Sequence, residues 1–227
     1  MYNTIAKNSS FELTEKKSKF IANLIYIENK EQAETVIKDY KKKYHDARHN
    51  CYAYRVIEQD YIYEKSSDDG EPSGTAGSPI LNILQKNNLC NVLVIVTRYF
   101  GGILLGTGGL VRCYSNSTIG ALENNIIIEI EKGVEYLVQI DYSNFENLKK
   151  YFNKNNINIL KIDYNELIAC QIQMSVETKD IFLKEIDQLK IDINNIKFLK
   201  EIFIKKISKI WCISIIINWT KIIMLYN

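Results

Sequence analysis

The sequence has few of the residues that build disulfide-rich or metal-rich proteins. Its 227 residues include two histidines, two prolines and five cysteines. The cysteines are odd in number and form no C-x-x-C pair, which favours buried thiols in a reducing compartment over a disulfide framework. We therefore expect a cytoplasmic protein without structural disulfides.

Long apolar runs and a secretory leader are also missing. Residues 1–20 contain no apolar segment followed by a small-residue cleavage site, so we expect no secretory signal. The most apolar stretch, residues 210–227, is interrupted by polar side chains such as Asn218 and Lys221. It does not provide the uninterrupted run of roughly 20 apolar residues that crosses a bilayer. The sequence predicts no membrane partner.

A strong net charge of one sign is absent as well. The net charge is +2, with 15 basic and 15 acidic residues in residues 1–130, and 14 basic and 12 acidic residues in residues 131–227. A protein that binds nucleic acid through its whole surface is usually far more basic. Any site for a polyanion must therefore be a local patch.

Arginine and glycine are concentrated in one part of the chain. All four arginines lie between positions 48 and 112, and nine of the ten glycines lie between 70 and 120. Lysine supplies the positive charge elsewhere, so arginine here indicates a need for its planar fork, which binds carboxylate or phosphate through two hydrogen bonds. Buried arginines that bridge loops are the structural alternative, and the clustering favours a shared site.

Hydrophobic periodicity predicts an α/β protein with two domains. In the first part we predict strands at 18–28, 49–57, 61–65 and 91–100, and helices at 29–44, 80–88 and 108–125. After Gly133 the pattern predicts strand, helix, two strands, helix and strand, which is the ferredoxin-like βαββαβ order. We place the domain boundary near residues 131–133.

The glycine-rich stretch RYFGGILLGTGGLVR, residues 98–112, fits neither common phosphate motif. Gly101 and Gly106 have the Walker A spacing, but Thr107 stands where that motif requires lysine. Gly106 and Gly108 begin a dinucleotide-binding pattern, but Val111 replaces its third glycine.

A weaker inference about this stretch remains. A glycine-rich turn that enters a helix presents backbone N–H groups at the positive helix end, where Arg98 and Arg112 add further donors. The alternative is a tight strand-to-helix crossover that needs glycine only for its backbone. We expect Arg98, Arg112 and the glycine-rich stretch to lie near DDGEPSGT, residues 68–75, because both loops adjoin helix starts and share the chain's rare residue types.

The acidic loop SSDDGEPSGTAGSP, residues 66–79, carries Asp68, Asp69 and Glu71. Clustered carboxylates bind Mg²⁺ or receive an arginine. They also cap helices or are simply solvated, which is the interpretation that we prefer.

The segment HDARH, residues 45–49, is close to the zinc-protease motif H-E-x-x-H but has Asp46 in place of glutamate and no evident third ligand. His49 and Cys51 share one face of the predicted strand. A Cys–His nucleophile and buried packing both explain that pair, and packing is favoured. We predict no metal site, no cofactor and no recognisable catalytic set.

Three segments together resemble the IMPACT family, in particular its bacterial members. They are HDARHNCYAYR at 45–55, SSDDGEPSGTAGSPIL at 66–81 and VTRYFGGILLGTGGLVRCYS at 96–115. The resemblance implies a ribosomal-protein-S5-domain-2-like domain at 1–131. It also implies a ferredoxin-like domain, similar to the last domain of elongation factor G, at 132–207. Residues 208–227 are an unassigned tail.

The resemblance also implies a function. The eukaryotic relatives regulate translation initiation by competing for a ribosome-associated activator of a starvation kinase. A nucleic-acid or ribosome role is inferred for bacterial members from their fold, and some are labelled proline dipeptidases. We expect a translation-related regulator whose partner is RNA or a ribosome-associated protein. The alternatives are an enzyme acting on a phosphorylated small molecule and a peptidase.

The candidate anion- or RNA-binding residues belong to the three segments described above. They are Arg98, Gly101, Gly102, Gly106, Gly108, Gly109, Arg112, Arg55, His49, Asp69, Glu71, Ser73 and Thr75.

Overall fold

A computed structural model describes residues 2–58, 61–186 and 193–206. The chain divides into two compact units, Met1–Glu129 and Ile130–Asn227. Both are mixed α/β with antiparallel sheets, which confirms the predicted class. The domain bounds and subfold names given above stay predictions, and the tail at 208–227 lies outside the described residues.

The first unit is built on a five-stranded antiparallel sheet. The elements of this unit in chain order are β1 (Tyr2–Ile5), β2 (Ser9–Glu15), β3 (Ser18–Tyr26), α1 (Lys30–Lys43), β4 (His49–Glu58), β5 (Tyr61–Ser67), α2 (Gly77–Lys86), β6 (Val92–Tyr99) and α3 (Gly106–Glu123). The sheet has the strand order β2-β3-β6-β4-β5. β6 is therefore central, which accounts for its unbroken apolar run.

Helices cover both faces of this sheet. Val94 and Val96 of β6 belong to the core that also contains Leu84 of α2 and Tyr114 of α3. Residues on the opposite face of β6, such as Ile95, belong to the core beneath α1. Because side chains alternate along a strand, β6 must be apolar at consecutive positions to fill both cores.

Two of the three helices in this unit begin earlier than the sequence predicted. α1 begins as predicted, because the side chain of Asn29 accepts a hydrogen bond from the Gln32 N–H at 2.8 Å. α2 begins at Gly77 rather than at residue 80, and α3 begins at Gly106 rather than at 108. β1 and β2 were not predicted at all.

The second unit has the predicted order of elements. They are β7 (Ile127–Ile140), whose first three residues precede the division of the chain at residue 130, α4 (Tyr142–Lys154), β8 (Asn158–Tyr164), β9 (Ile168–Ser175), α5 (Val176–Glu185) and β10 (Ile193–Lys205). β7 pairs with β10 and with β9, and β9 pairs with β8, all antiparallel. Its core includes Val138, Leu148, Phe152 and Phe182. No helix in the described part of the chain is long and apolar enough to cross a membrane.

Candidate anion-binding site

The register of the first sheet brings His49 and Arg98 together. His49 is the first residue of β4, and it pairs with Arg98 near the end of β6. Arg98 also pairs with Phe20 of β3 on its other side. Because directly paired residues project from the same face of a sheet, His49 and Arg98 lie side by side at one end of the unit.

A buried ion pair joins Arg98 to the acidic loop. Arg98 Nη1 lies 2.5 Å from Glu71 Oε1, and the two side chains are 6% and 3% exposed. The Tyr114 hydroxyl of α3 donates to the same carboxylate oxygen at 2.9 Å. This contact confirms the prediction that Arg98 lies beside the acidic loop.

Two aromatic rings flank the Arg98 guanidinium. Its central carbon lies 5.4 Å from the centroid of the Phe20 ring and 5.6 Å from that of Phe100. Its Nε is buried and has no hydrogen-bond partner among the described residues. The guanidinium is thus held by one carboxylate and two ring faces rather than by a complete set of acceptors.

His49 is oriented by a backbone carbonyl. Its Nδ1 lies 2.8 Å from the carbonyl oxygen of Asp69, so Nδ1 carries the proton of this hydrogen bond. Its Nε2 lies 3.8 Å from Glu71 Oε1, which is beyond hydrogen-bond distance.

Asp68 satisfies the backbone at the start of α2. Its carboxylate accepts hydrogen bonds from the N–H groups of Gly74, Ala76 and Gly77 at 2.8–2.9 Å. Burial alone raises the pKa of Asp68, but the three backbone donors together hold its pKa below the ordinary 3.8. Asp68 is therefore a helix-capping residue.

We expect Asp68 to stabilise the first unit only when it is ionised. Because its folded pKa lies below the unfolded value, this contribution is complete above pH 3.8 and is lost as the pH falls through the folded pKa. Asp68→Ala should lower the free energy of unfolding by about 1 kcal/mol at pH 7. Urea titrations at pH 7 and pH 3 measure the free energy of unfolding, and Asp68→Asn should lose less of it on acidification than the parent.

An exposed control, Asp39→Asn, should retain the parent's acid sensitivity. An equal loss in Asp68→Asn and in the parent would contradict the capping role.

Asp69 also serves the local structure. Its carboxylate accepts the Asn50 N–H at 2.7 Å and lies 2.5 Å from Lys41 Nζ. Among the described residues, no group of three or more His, Cys, Asp and Glu side chains is placed to hold a metal ion.

Cys51 is a buried thiol beside this site. It donates to the Asp68 carbonyl oxygen and lies 3.3 Å from the Tyr114 hydroxyl. Burial raises the pKa of both groups well above neutral pH. Both remain protonated at pH 7, so packing explains Cys51 better than a thiolate nucleophile. Four cysteines, Cys51, Cys90, Cys113 and Cys170, are free and buried, and Cys212 lies outside the described residues.

The glycine loop, residues 100–109, connects β6 to α3. Gly101 is needed for space, because a Cβ there would lie 2.0 Å from the carbonyl carbon of Lys17. Gly106 has φ +72°, the left-handed region that glycine adopts readily. Gly102 has φ +85°, and a Cβ at Gly108 would meet nothing within 4 Å. The fold therefore requires glycine at some positions of this loop, for space or for a positive φ, whereas Gly108 has room for a side chain.

The start of α3 has no side-chain cap. Leu105 is its N-cap residue, and its first turn contains no acidic side chain. The first N–H groups of a helix have no partner inside the helix and carry a partial positive charge. α3 thus presents a positive end, whereas the start of α2 is neutralised by Asp68.

A pocket of about 340 Å³ lies against this helix start. His49 and Arg98 line it at the strand ends, Gly70–Pro72 line it from the acidic loop, and Leu104–Thr107 line it from the glycine loop and α3. Arg48 and Phe100 border it as well. We call it the His49 pocket.

Several predicted site residues lie elsewhere. Arg112 and Gly109 line a separate hollow of about 250 Å³, together with Lys16. Arg55 is buried in an ion pair with Glu64 and donates to the backbone carbonyls of Leu84 and Leu89.

Two further candidates belong to the acidic loop. Ser73 is exposed, and the Thr75 hydroxyl donates to the Pro72 carbonyl oxygen. The sequence candidates did not include Arg48, Phe100 or Tyr114, although Arg48 belongs to the arginine cluster described above. Leu110 and Tyr114 lie about one helical turn apart on α3, a spacing that indicates core packing rather than a site.

Comparison with known proteins agrees with the sequence resemblance. Residues 16–122 match the Impact N-terminal domain, and this range contains every candidate site residue. The chain is 35% identical over 179 residues to IMPACT family member YvyE of Bacillus subtilis (strain 168), covering 79% of this chain and 81% of that relative. It is 32% identical over 160 residues to IMPACT family member YigZ of Escherichia coli (strain K12), covering 70% and 78%. A solved structure described as a hypothetical protein is 28% identical, with a TM-score of 0.59 over 88% of this chain and 97% of that one.

Proposed function

The chain belongs to the IMPACT family, and from that premise we propose that it regulates translation in the cytoplasm by binding RNA through the start of α3. The observation that carries the proposal is the uncapped helix start with exposed basic side chains on two sides. Arg48 borders it in the His49 pocket, and Lys16 and Arg112 border it in the neighbouring hollow. Glu15 lines the same hollow, so the partner's phosphates lie at the helix start and beside the basic side chains rather than beside this carboxylate.

Local geometry supports a polyanion at this face. Arg48, Lys16 and Arg112 are all exposed, as are Gly106 and Thr107 at the helix start. Backbone N–H groups at a helix start bind phosphate without reading the base, and exposed basic side chains add a salt-dependent attraction. The patch is small, which agrees with the balanced net charge of +2.

The acidic loop does not favour the enzyme alternative. Asp68 and Asp69 belong to the clustered carboxylates considered above for Mg²⁺, but these carboxylates accept hydrogen bonds from backbone N–H groups. A role in binding therefore remains the better supported function.

Binding of an unstructured 12-nucleotide RNA should depend steeply on salt. We expect the logarithm of the association constant to fall linearly with the logarithm of salt concentration, and Arg112→Gln to make that slope shallower by about 0.7–1. Fluorescence anisotropy across a salt series measures the slope.

A control variant in the same unit removes one lysine at the other end of α2. Lys86 is exposed in the last turn of that helix, so Lys86→Gln should leave the slope within error of the parent. RNA binding without salt dependence, or equal slopes for the parent and Arg112→Gln, would contradict the proposal. Absence of RNA binding would favour the ribosome-associated protein as partner.

A further inference from the structure

The second sheet ends at a strand whose outer side is open. β8 pairs with β9 and with no other strand in the part of the chain that the structure describes. The backbone N–H and C=O groups that point away from β9 are therefore available to a further strand. An open edge of this kind is a ready site for pairing with another chain, and natural proteins usually protect it with charge or irregular geometry.

Large apolar side chains are exposed along this edge. Leu160 is 46% exposed and Tyr164 is 63% exposed, although both belong to the strand. The centroid of the Tyr164 ring also lies 6.4 Å from that of Tyr142, which begins α4 and is 54% exposed. Exposed apolar groups that lie close to an open strand edge indicate an interaction surface.

The charges on β8 are arranged so that two copies of the strand fit each other. Lys161 and Asp163 flank Ile162, and their side chains are 65% and 45% exposed. Successive side chains point to opposite faces, so Lys161 and Asp163 share one face while Ile162 packs against the core. When two copies pair antiparallel around a two-fold axis at Ile162, residues at equal distances from Ile162 lie opposite each other. Each Lys161 then lies opposite the Asp163 of the other copy.

The two neighbouring registers do not satisfy these charges. An axis at Lys161 places two lysines opposite each other, and an axis at Asp163 places two aspartates opposite each other. Like charges directly opposite each other destabilise a sheet. The axis at Ile162 also sets Leu160 of each copy opposite Tyr164 of the other, which brings the exposed apolar side chains of the strand together.

We infer that a second copy of this chain binds at β8 by antiparallel pairing centred on Ile162. The two copies form a symmetric dimer in which the same strand edge contacts itself. Lys161 protects the edge against other strands, and an aspartate at the matching position of the incoming strand removes that barrier. The irregularity between Ile159 and Lys161 shortens the regular ladder, so the dimer is weak and reversible. The inference is independent of the proposed function, because it uses no residue at the start of α3.

Sedimentation equilibrium of the full chain tests the dimer. We expect the average mass to rise from one chain toward two between about 1 and 300 μM, because a weak association depends on concentration. Lys161→Asp sets carboxylates opposite carboxylates, and Asp163→Lys sets ammonium groups opposite ammonium groups. Each variant should raise the dissociation constant at least about 10-fold. The control Lys86→Glu makes the same change of charge at an exposed position of the first unit, and it should associate as the parent does.

Combining the two variants identifies the register. In an equimolar mixture of Lys161→Asp and Asp163→Lys, carboxylates lie opposite ammonium groups, so the mixture should associate although neither variant does so alone. The exchange variant, which carries both substitutions in one chain, restores the opposite charges and should dimerise within about threefold of the parent. Thermal melting followed by circular dichroism shows that each variant is folded. Recovery in the mixture distinguishes a direct contact between copies from a loss of strand structure.

The outcomes decide the inference in both directions. A concentration-dependent dimer that each single variant weakens and the mixture restores supports it. A mass of one chain over the whole range overturns it, and that is the result expected if the edge instead binds a strand of another protein. A dimer that neither single variant weakens also overturns it. Failure of both the mixture and the exchange variant to associate overturns the register and with it the pairing at β8.

Discussion

Replacing Glu71 by alanine is expected to lower the free energy of unfolding by about 3–5 kcal/mol. The change leaves the Arg98 guanidinium buried without a counter-charge and removes the acceptor of the Tyr114 hydroxyl. Breaking a buried ion pair by removing one partner costs this much because the remaining charge stays desolvated. Urea denaturation followed by circular dichroism measures the loss.

An exposed ion pair in the same sheet provides the control. Lys19 and Glu12 lie 2.7 Å apart, with side chains 43% and 52% exposed. Solvent weakens such a pair, so Glu12→Ala should cost less than about 1 kcal/mol. The double variant Glu71→Ala with Arg98→Leu should recover part of the lost stability, because it removes the unpaired charge. If Glu71→Ala costs no more than Glu12→Ala, the pair does not hold the acidic loop to the sheet.

Local sequence patterns predicted most of the secondary structure because the deciding interactions are local. α1 was predicted within one residue at each end, since its apolar spacing and the Asn29 cap lie inside the segment. α2 was predicted three residues too short at its start. Its cap is Asp68, which lies eight and nine residues before the N–H groups of Ala76 and Gly77, so no pattern at the helix itself shows it.

β2 was missed because it is only partly buried. Phe11 and Leu13 alternate with polar residues and pack against the core, while the rest of the strand is largely polar. β2 is an edge strand that pairs with β3 alone. The alternation of Phe11 and Leu13 with polar residues is a signal that could have identified β2.

The candidate site was predicted in part, and the sheet register explains the rest. The clustering of arginine and glycine in one part of the sequence correctly predicted that Arg98 lies close to the acidic loop, where it contacts Glu71. Arg55 shares a strand with His49 but lies six residues further along, about 20 Å away at the usual rise of a strand. It pairs with Val92 at the start of β6, whereas His49 pairs with Arg98 near its end. Clustering in sequence therefore grouped two arginines that the register separates.

Gly101→Ala is expected to lower the free energy of unfolding by at least about 3 kcal/mol. An alanine Cβ at this position would lie 2.0 Å from the carbonyl carbon of Lys17 and 2.4 Å from the Ser18 nitrogen, so two backbone segments would have to separate. The Gly101 N–H also donates to the Ser18 hydroxyl at 3.1 Å, a bond that such a displacement breaks.

Gly108→Ala is the matched control, because its Cβ meets nothing within 4 Å and the residue is helical. Alanine is the better helix former, so the control should gain about 0.5–1 kcal/mol. Thermal melting of the two variants should therefore shift in opposite directions. Equal melting temperatures for Gly101→Ala and the parent would mean that the glycine loop does not depend on its close approach to the β2–β3 turn.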